Sequence, residues 1–338
     1  MLIHECERRW RVERYSPSQS IEWNRFVAAG KNATFLFNRD YMDYHADRFV
    51  DHSLIVSFDG QWIALLPANL RADGVLVSHQ GLTYGGFVFK RDIHLAQALE
   101  ATHAVMVALR AIGIDRLVYK RIPLFYNSLP DGEVDYAMFL LGARLVRRDT
   151  AIVVKTTDRL PLRRGKKSRI NKGIRVGLQF RLDGDFEPFW SRVLGPRLAG
   201  KYGLEPVHSV DEIRLLAARF PGNILQFSAY LEDRIVAGVT IFETPMVAHV
   251  QYSAIAAEGE PLGALDALYE WLIGNRYKDK AFFDFGICNE NDGQALNHSL
   301  LRSKEGFGAR AYCHDFYEIR TGELDVLEAA LPQTAEDP

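Results

Sequence analysis

Three cysteines in 338 residues, at positions 6, 288 and 313, are too few and too scattered for a disulfide framework. They form no CxxC and cannot all pair, so a reducing compartment is expected. No apolar run approaches the roughly 20 residues needed to cross a bilayer. The opening MLIHECERRWRVERY is too charged for a secretory leader, and a cytoplasmic location with no membrane partner is the expectation. Neither charge sign dominates: 41 basic residues face 43 acidic ones, the net charge is −2 and the pI is near 6.6. Charge alone therefore predicts no nucleic-acid partner. The sequence also lacks metal-ligand spacing and a serine-hydrolase elbow. What is present is ordinary globular material, 48% hydrophobic and 25% charged, in a length that suggests two domains.

The triplet Gly-Ala-Arg occurs at Gly142 and again at Gly308, and its surroundings recur with it. Each copy opens with a hairpin-like stretch: SLIVSFDGQWIALLPAN, turning at Asp59-Gly60, and LQFSAYLEDRIVAGVTIF, turning at Glu232-Asp233. Each continues into a strand (GLTYGGFVF; VAHVQYSAIAA) and then a helix with apolar residues at helical spacing, near 96–111 and 262–275. Short strands DRLVYKRI and AFFDFGI come next, then a loop, another helix, the Gly-Ala-Arg and a final strand. Landmarks lie roughly 165–175 residues apart, a period of duplicated domains rather than of a solenoid. The glycine suits the left-handed position that closes a helix. Hairpin, strand, helix, strand, loop, helix, strand is the core order of the Gcn5-related acetyltransferase (GNAT) fold. The expected architecture is α/β with mixed sheets in two tandem GNAT-like domains. Residues 1–155 and 181–338 form the domains, and a basic inter-domain segment covers 156–180.

Several stretches carry chemistry. Gly259, Pro261, Gly263 and Ala264 precede the second helix, and a helix N-terminus offers unpaired N–H groups to phosphate. An ordinary turn is the competing reading. Gln251, Tyr252 and Ser253 lie on the preceding strand, where a GNAT fold splays to admit a thioester. Asp284, on the strand face it shares with Phe282, is a candidate general base or a satisfied structural carboxylate. Glu290 stands in the polar loop that follows. His208 precedes a Ser209/Glu212 capping box, which favours a structural role. His79 and Tyr84 flank a glycine-rich segment suited to a ring-shaped ligand or to a tight bend. The run RLPLRRGKKSRINKGIR, with Lys167 and Arg169, is either a solvated face or a partner for a diphosphate. It is no P-loop, and Gly306–Ala311 is no dinucleotide fingerprint, because it follows a helix and enters a strand.

Taken in order, TFLFNRDYMDYHADRF, IALLPAN, SHQGLTYGG, YKRIP, LVRRD, PVHS, AHVQY, GALD, FDFG and KEGFGARA resemble tandem-GNAT transferases related to the Fem type. They are most similar to bacterial nucleotide-sugar N-acyltransferases of surface-polysaccharide (O-antigen) biosynthesis. The resemblance implies transfer from acyl-CoA, a co-substrate, to the amine of a dTDP- or UDP-linked amino sugar in a ternary complex without metal. It places the thioester on the C-terminal copy, with Gln251, Tyr252, Ser253, Gly259, Gly263, Ala264, Asn297 and Lys304 toward the donor. Tyr84, Lys120, Tyr126, Arg148, Lys167 and Arg169 then face the acceptor. Asp284, His79, His208 and Glu290 are the candidates for proton transfer. The first copy, lacking glycine ahead of its helix in FVFKRDIHLAQAL, is not expected to bind CoA. An aspartate at position 263 is expected to repel phosphate while sparing the fold. Rival readings are a Fem-type enzyme using aminoacyl-tRNA, whose long helical arm has no counterpart around 185–222, and a non-catalytic nucleotide-sugar binder.

Overall fold

The computed structural model describes residues 2–6 and 9–332, and the chain divides into two compact units. Unit 1 comprises residues 1–148 and 314–338, and unit 2 residues 149–313. These limits differ from those expected: residues 149–155 group with the later unit and 314–338 with the earlier one. The expected basic connector belongs wholly to unit 2.

In unit 1, β1 (Leu54–Phe58) and β2 (Gln61–Leu66) form a hairpin whose turn, Asp59-Gly60, has positive φ at both residues. That geometry matches the right-handed strand twist. β3 (Leu76–Val77) runs parallel to β4 (Arg116–Lys120). On the other side β4 pairs antiparallel with residues 316–320. Helix α1 (Leu95–Ala111) presents Ala98, Leu99, Ala101, Val105, Met106, Ala108 and Leu109 to the core, where Leu54, Val56, Leu76, Leu117 and Ile319 meet it. The segment GLTYGGFVF is a strand only at Val88–Phe89. His79 (φ 64) and Gly86 (φ 97) take left-handed conformations that a ladder does not accommodate.

Unit 2 repeats the theme. β5 (Ile224–Leu231), β6 (Arg234–Glu243) and β7 (Val247–Ile255) are antiparallel neighbours. β8 (Phe282–Ile287) then adds parallel to β7. On its far side β8 pairs with residues 151–155. The strand that completes each unit is thus one that the expected domain limits place in the other domain. The basic run forms helix α2 (Arg164–Arg175), which turns Ile170 and Gly173 inward against α3 (Ala264–Trp271). A side chain on Gly173 would begin 2.8 Å from the Ala267 Cβ, so the helix contact requires a small residue there. Helix α4 (His298–Glu305) precedes the second Gly-Ala-Arg. Gly142 and Gly308 both adopt the left-handed helix-ending position (φ 58 and 85). Only Gly308 is also crowded, because its Cβ would lie 2.1 Å from the Leu160 carbonyl oxygen. Residues 187–202 and 210–219 are helical, and Phe189 and Trp190 pack on Gly238 and Tyr252. Among the described residues no helix is long and apolar enough to cross a membrane.

Candidate functional site

Strands β7 and β8 pair over three rungs only, Val247 with Phe282, Ala248 with Phe283 and His249 with Asp284. Past that rung both strands continue without pairing to each other. The cause is a bulge: Thr240 of β6 faces Tyr252 while its neighbour Ile241 faces Val250, leaving Gln251 as the extra residue. A bulge bends its strand and raises the local twist, which turns β7 away from β8 and opens a slot. The Oε1 of the bulged Gln251 is buried without a hydrogen-bond partner among the described residues, an arrangement that costs free energy unless something else fills it. Tyr252 turns to the opposite face from Val250 and meets His208. The His208 Nδ1 lies 2.5 Å from the Tyr252 hydroxyl, which also accepts the His208 backbone N–H at 3.2 Å. The expected capping box beside His208 is present in full. Ser253 is exposed.

Asp284 is buried and committed. Its Oδ1 accepts the Gly286 N–H at 2.7 Å, and its Oδ2 lies 2.8 Å from the Nδ1 of His249, a residue that sequence reasoning passed over. Pairing two residues 35 positions apart requires the parallel register, which periodicity alone does not supply. At the end of β8 the Lys304 ammonium donates to the Gly286 and Ile287 carbonyls at 3.1 and 2.8 Å. Burial pushes its pKa down. Glu290 is exposed and accepts from Asn297, whose own side chain caps α4.

The loop ahead of α3 differs from the expected phosphate cradle. The N–H groups of Gly259, Glu260, Leu262, Gly263 and Ala264 all donate to carbonyls at 256, 259 or 260, and Pro261 has none. Gly259 and Gly263 serve packing: a Cβ at 259 would lie 2.4 Å from the Val236 oxygen, and one at 263 lies 2.6 Å from the Arg169 oxygen. Ala264 is buried. Beside this loop lies a cleft of about 880 Å³ whose cations are side chains: Arg163, Lys166, Arg169, Arg197 and Arg302, with His298. Two carboxylates offset them. Asp266 takes both Lys166 and Arg169 at 2.6 Å, and Glu260 takes Arg197 at 2.8 Å. Arg169, expected toward the acceptor, therefore lines this cleft, whereas Lys167 is exposed outside it. An acidic Asp266 in the first turn of a helix was readable as a dipole partner; its two cations, about 100 residues away in sequence, were not.

In unit 1 the corresponding gap between β3 and β4 is filled. The Ser78 N–H donates to the Val118 carbonyl, the Lys120 N–H to the Ser78 Oγ and the Gly85 N–H to the Lys120 carbonyl, sealing residues 78–85 against β4. The Lys120 ammonium is buried and donates to the His79 and Leu82 carbonyls, and burial pushes its pKa down to about 7. His79 packs beside His45 and Phe49. Burial, with the nearby His45, pushes its pKa down to about 3. The Tyr84 and Tyr126 rings pack at 4.7 Å with their planes tilted by 52°, and the Tyr84 hydroxyl donates to Thr34 at 3.1 Å. Three of the residues expected at the acceptor, Tyr84, Lys120 and Tyr126, thus come together with the proton-transfer candidate His79, but as buried neighbours. Arg148 is exposed and pairs with Asp315 at 2.6 Å. Among the described residues no cluster of three His, Cys, Asp or Glu side chains is arranged to hold a metal ion.

Comparison with protein-family models and with curated proteins returns no match. Solved structures do match. A FemX structure shares 10% identity at a TM-score of 0.63, covering 95% of this chain and all of that one. L-PGS from Bacillus licheniformis shares 12% at 0.58, covering 94% and 96%. A conserved protein of unknown function from Bacteroides thetaiotaomicron shares 8% at 0.55, covering 91% and 99%. At such identities the likeness is one of fold. The chain has the tandem GNAT-like architecture, two α/β units with mixed sheets.

Proposed function

We propose that this protein is an N-acyltransferase that moves an acyl group from acyl-CoA to the amine of a nucleotide-linked amino sugar, by direct attack in a ternary complex. The observation that carries the reading is the slot that opens past the His249–Asp284 rung, beside a cleft rich in cations. An unpaired strand edge offers backbone N–H and C=O groups to an amide-bearing arm, and the cleft offers charge to the phosphates at the arm's other end. Because the loop amides are spent internally, the side chains of Arg163 and Arg302 take the role that backbone N–H groups were expected to fill. Orientation of amine and thioester contributes on the order of 7–11 kcal/mol in well-aligned systems, so a slot that fixes both accounts for much of the rate. The sealed gap in unit 1 supports assigning the thioester to unit 2.

The reading is tested by incubating the purified protein with acetyl-CoA and longer acyl-CoAs against a panel of dTDP- and UDP-amino sugars while following free thiol. Thiol release that requires one of these amines supports it; no release with any pair sinks it.

A second reading, Fem-type transfer from aminoacyl-tRNA, draws on the same cleft, since arginines contact RNA phosphates equally well. Against it, residues 185–222 fold onto the β6–β7 face as short helices and form no arm. A tRNA gel shift that survives 0.2 M salt would favour it over the first.

A further inference from the structure

Resting on the acyl-transfer reading of the slot, we infer that His249 is the proton acceptor of the reaction and that Asp284 is the residue that orients it. Four observations converge on this pair. It occupies the last rung before β7 and β8 part, at the inner end of the slot. The Asp284 carboxylate accepts from the Gly286 N–H through one oxygen and meets the His249 Nδ1 through the other, at 2.7 and 2.8 Å. A carboxylate that already accepts a backbone donor acts as an acceptor toward the imidazole as well, so the ring proton sits on Nδ1 and the lone pair on Nε2. Finally, Gly286 puts no side chain beside the ring: a Cβ there would sit in ordinary van der Waals contact, 3.5 Å from the His249 Cε1, the carbon between the two ring nitrogens. The dyad therefore borders a space that a larger residue at 286 would fill.

The other candidates are placed less well for this role. Both Asp284 oxygens are engaged. Glu290 is exposed and bonded to Asn297. His208 is held against Tyr252, and His79, pushed down to about 3, is a weak acceptor at neutral pH. In the step proposed, the amine nitrogen bonds to the thioester carbon and the carbon–sulfur bond breaks. The proton lost by nitrogen passes to His249 Nε2 and from there to the departing thiolate, giving amide and free thiol. The Asp284 carboxylate stabilises the transient imidazolium and stays ionised throughout.

Two measurements test the assignment. Long-range proton–nitrogen spectra of protein labelled with ¹⁵N-histidine report the tautomer without any substrate, with the signal assigned by its loss in His249→Asn. The Nδ1–H form is expected, and it should disappear in Asp284→Asn; an Nε2–H form in the wild type overturns the dyad. In the thiol-release assay His249→Ala should lower kcat by roughly 10²–10⁴-fold with little change in either KM, and added imidazole should restore part of it. His249→Asn, which keeps a donor toward Asp284 but has no basic nitrogen, guards against misfolding: it should retain its thermal melt and CoA affinity and show the same loss without rescue. An active wild type indifferent to both substitutions overturns the base assignment alone. A wild type inactive with every pair while showing the Nδ1–H form overturns the acyl-transfer reading, and the base assignment with it.

Discussion

The carbonyl oxygen of Arg169 stands 2.6 Å from the point where a side chain on Gly263 would begin, and Gly263 itself has φ +71 at the start of α3. The loop was expected to tolerate substitution because its glycine was assigned to a ligand; instead the glycine lets α2 lie against α3. Gly263→Ala must meet both the left-handed penalty of about 1–2 kcal/mol and a collision with backbone that has no rotamer to change. Gly263→Asp should do worse. Both variants are expected to melt several degrees lower than the wild type whether or not CoA is present. A variant with an unchanged melt and selectively weakened CoA binding would restore the ligand role.

Asp266 links the same two helices by charge, taking Lys166 and Arg169 at 2.6 Å each. Lys166 and Asp266 are largely buried, whereas the Arg169 side chain is 56% exposed, so solvent screens that half of the pair. Asp266→Asn leaves a buried ammonium short of its counter-charge and should cost on the order of 1–3 kcal/mol. The same substitution removes a negative charge from the cleft, so affinity for inorganic pyrophosphate should rise and become more salt-dependent. A lower melt with tighter pyrophosphate binding is expected by differential scanning fluorimetry and calorimetry. Both quantities moving down together would place the anion elsewhere.

What could be read in the sequence was whatever is local. The two Gly-Ala-Arg helix ends, the Asp59-Gly60 turn and the Ser209/Glu212 capping box depend on residues within a turn of one another, and all are present. The slot was anticipated in place because strand order is also a one-dimensional property. Its contents were not. The His249–Asp284 pair needs a parallel register, and Asp266 needs a helix about 100 residues upstream to fold back on it. The loop at Gly259–Ala264 misled for a related reason: glycines that free backbone amides for phosphate and glycines that yield space to a neighbouring helix have the same letters. The strand expected at GLTYGGFVF shrinks to Val88–Phe89 because Gly86, inside it, takes positive φ, a freedom that the letter G permits but does not announce.

Arg163 and Arg302 line the cleft without a salt-bridge partner among the described residues. If the cleft holds the diphosphate end of the donor, Arg163→Ala and Arg302→Ala should each weaken CoA binding by about tenfold, the worth of one charge-assisted contact near 1.4 kcal/mol. Binding of acyl-pantetheine, which has no diphosphate, should be unaffected. Lys167→Ala, on the exposed side of α2, is expected to leave both affinities unchanged. Equal losses for CoA and acyl-pantetheine in the arginine variants would count against a phosphate contact.

Unit 1 should be acid-labile well above the range where carboxylates titrate. His45, His52 and His79 are buried there, and burial is the largest cause of a lowered pKa in each, to about 4 for His52 and about 3 for His79. Each lies below the value near 6.5 expected in an unfolded chain. Between the two values the unfolded chain binds a proton that the fold refuses, so stability is present above about pH 6.5 and is lost as pH falls toward the folded values. The slope is at most about 1.4 kcal/mol per pH unit for each ring inside its window. From pH 7 to pH 5, His52 and His79 together should remove roughly 4 kcal/mol, a fall on the order of 10 °C in the melt of a unit this size. His79→Asn tolerates the left-handed backbone and carries nothing to protonate; combined with His52→Gln it should flatten that dependence to less than half. Identical falls in the wild type and the double variant, measured by circular dichroism across the same interval, would mean that these rings admit protons without opening the fold.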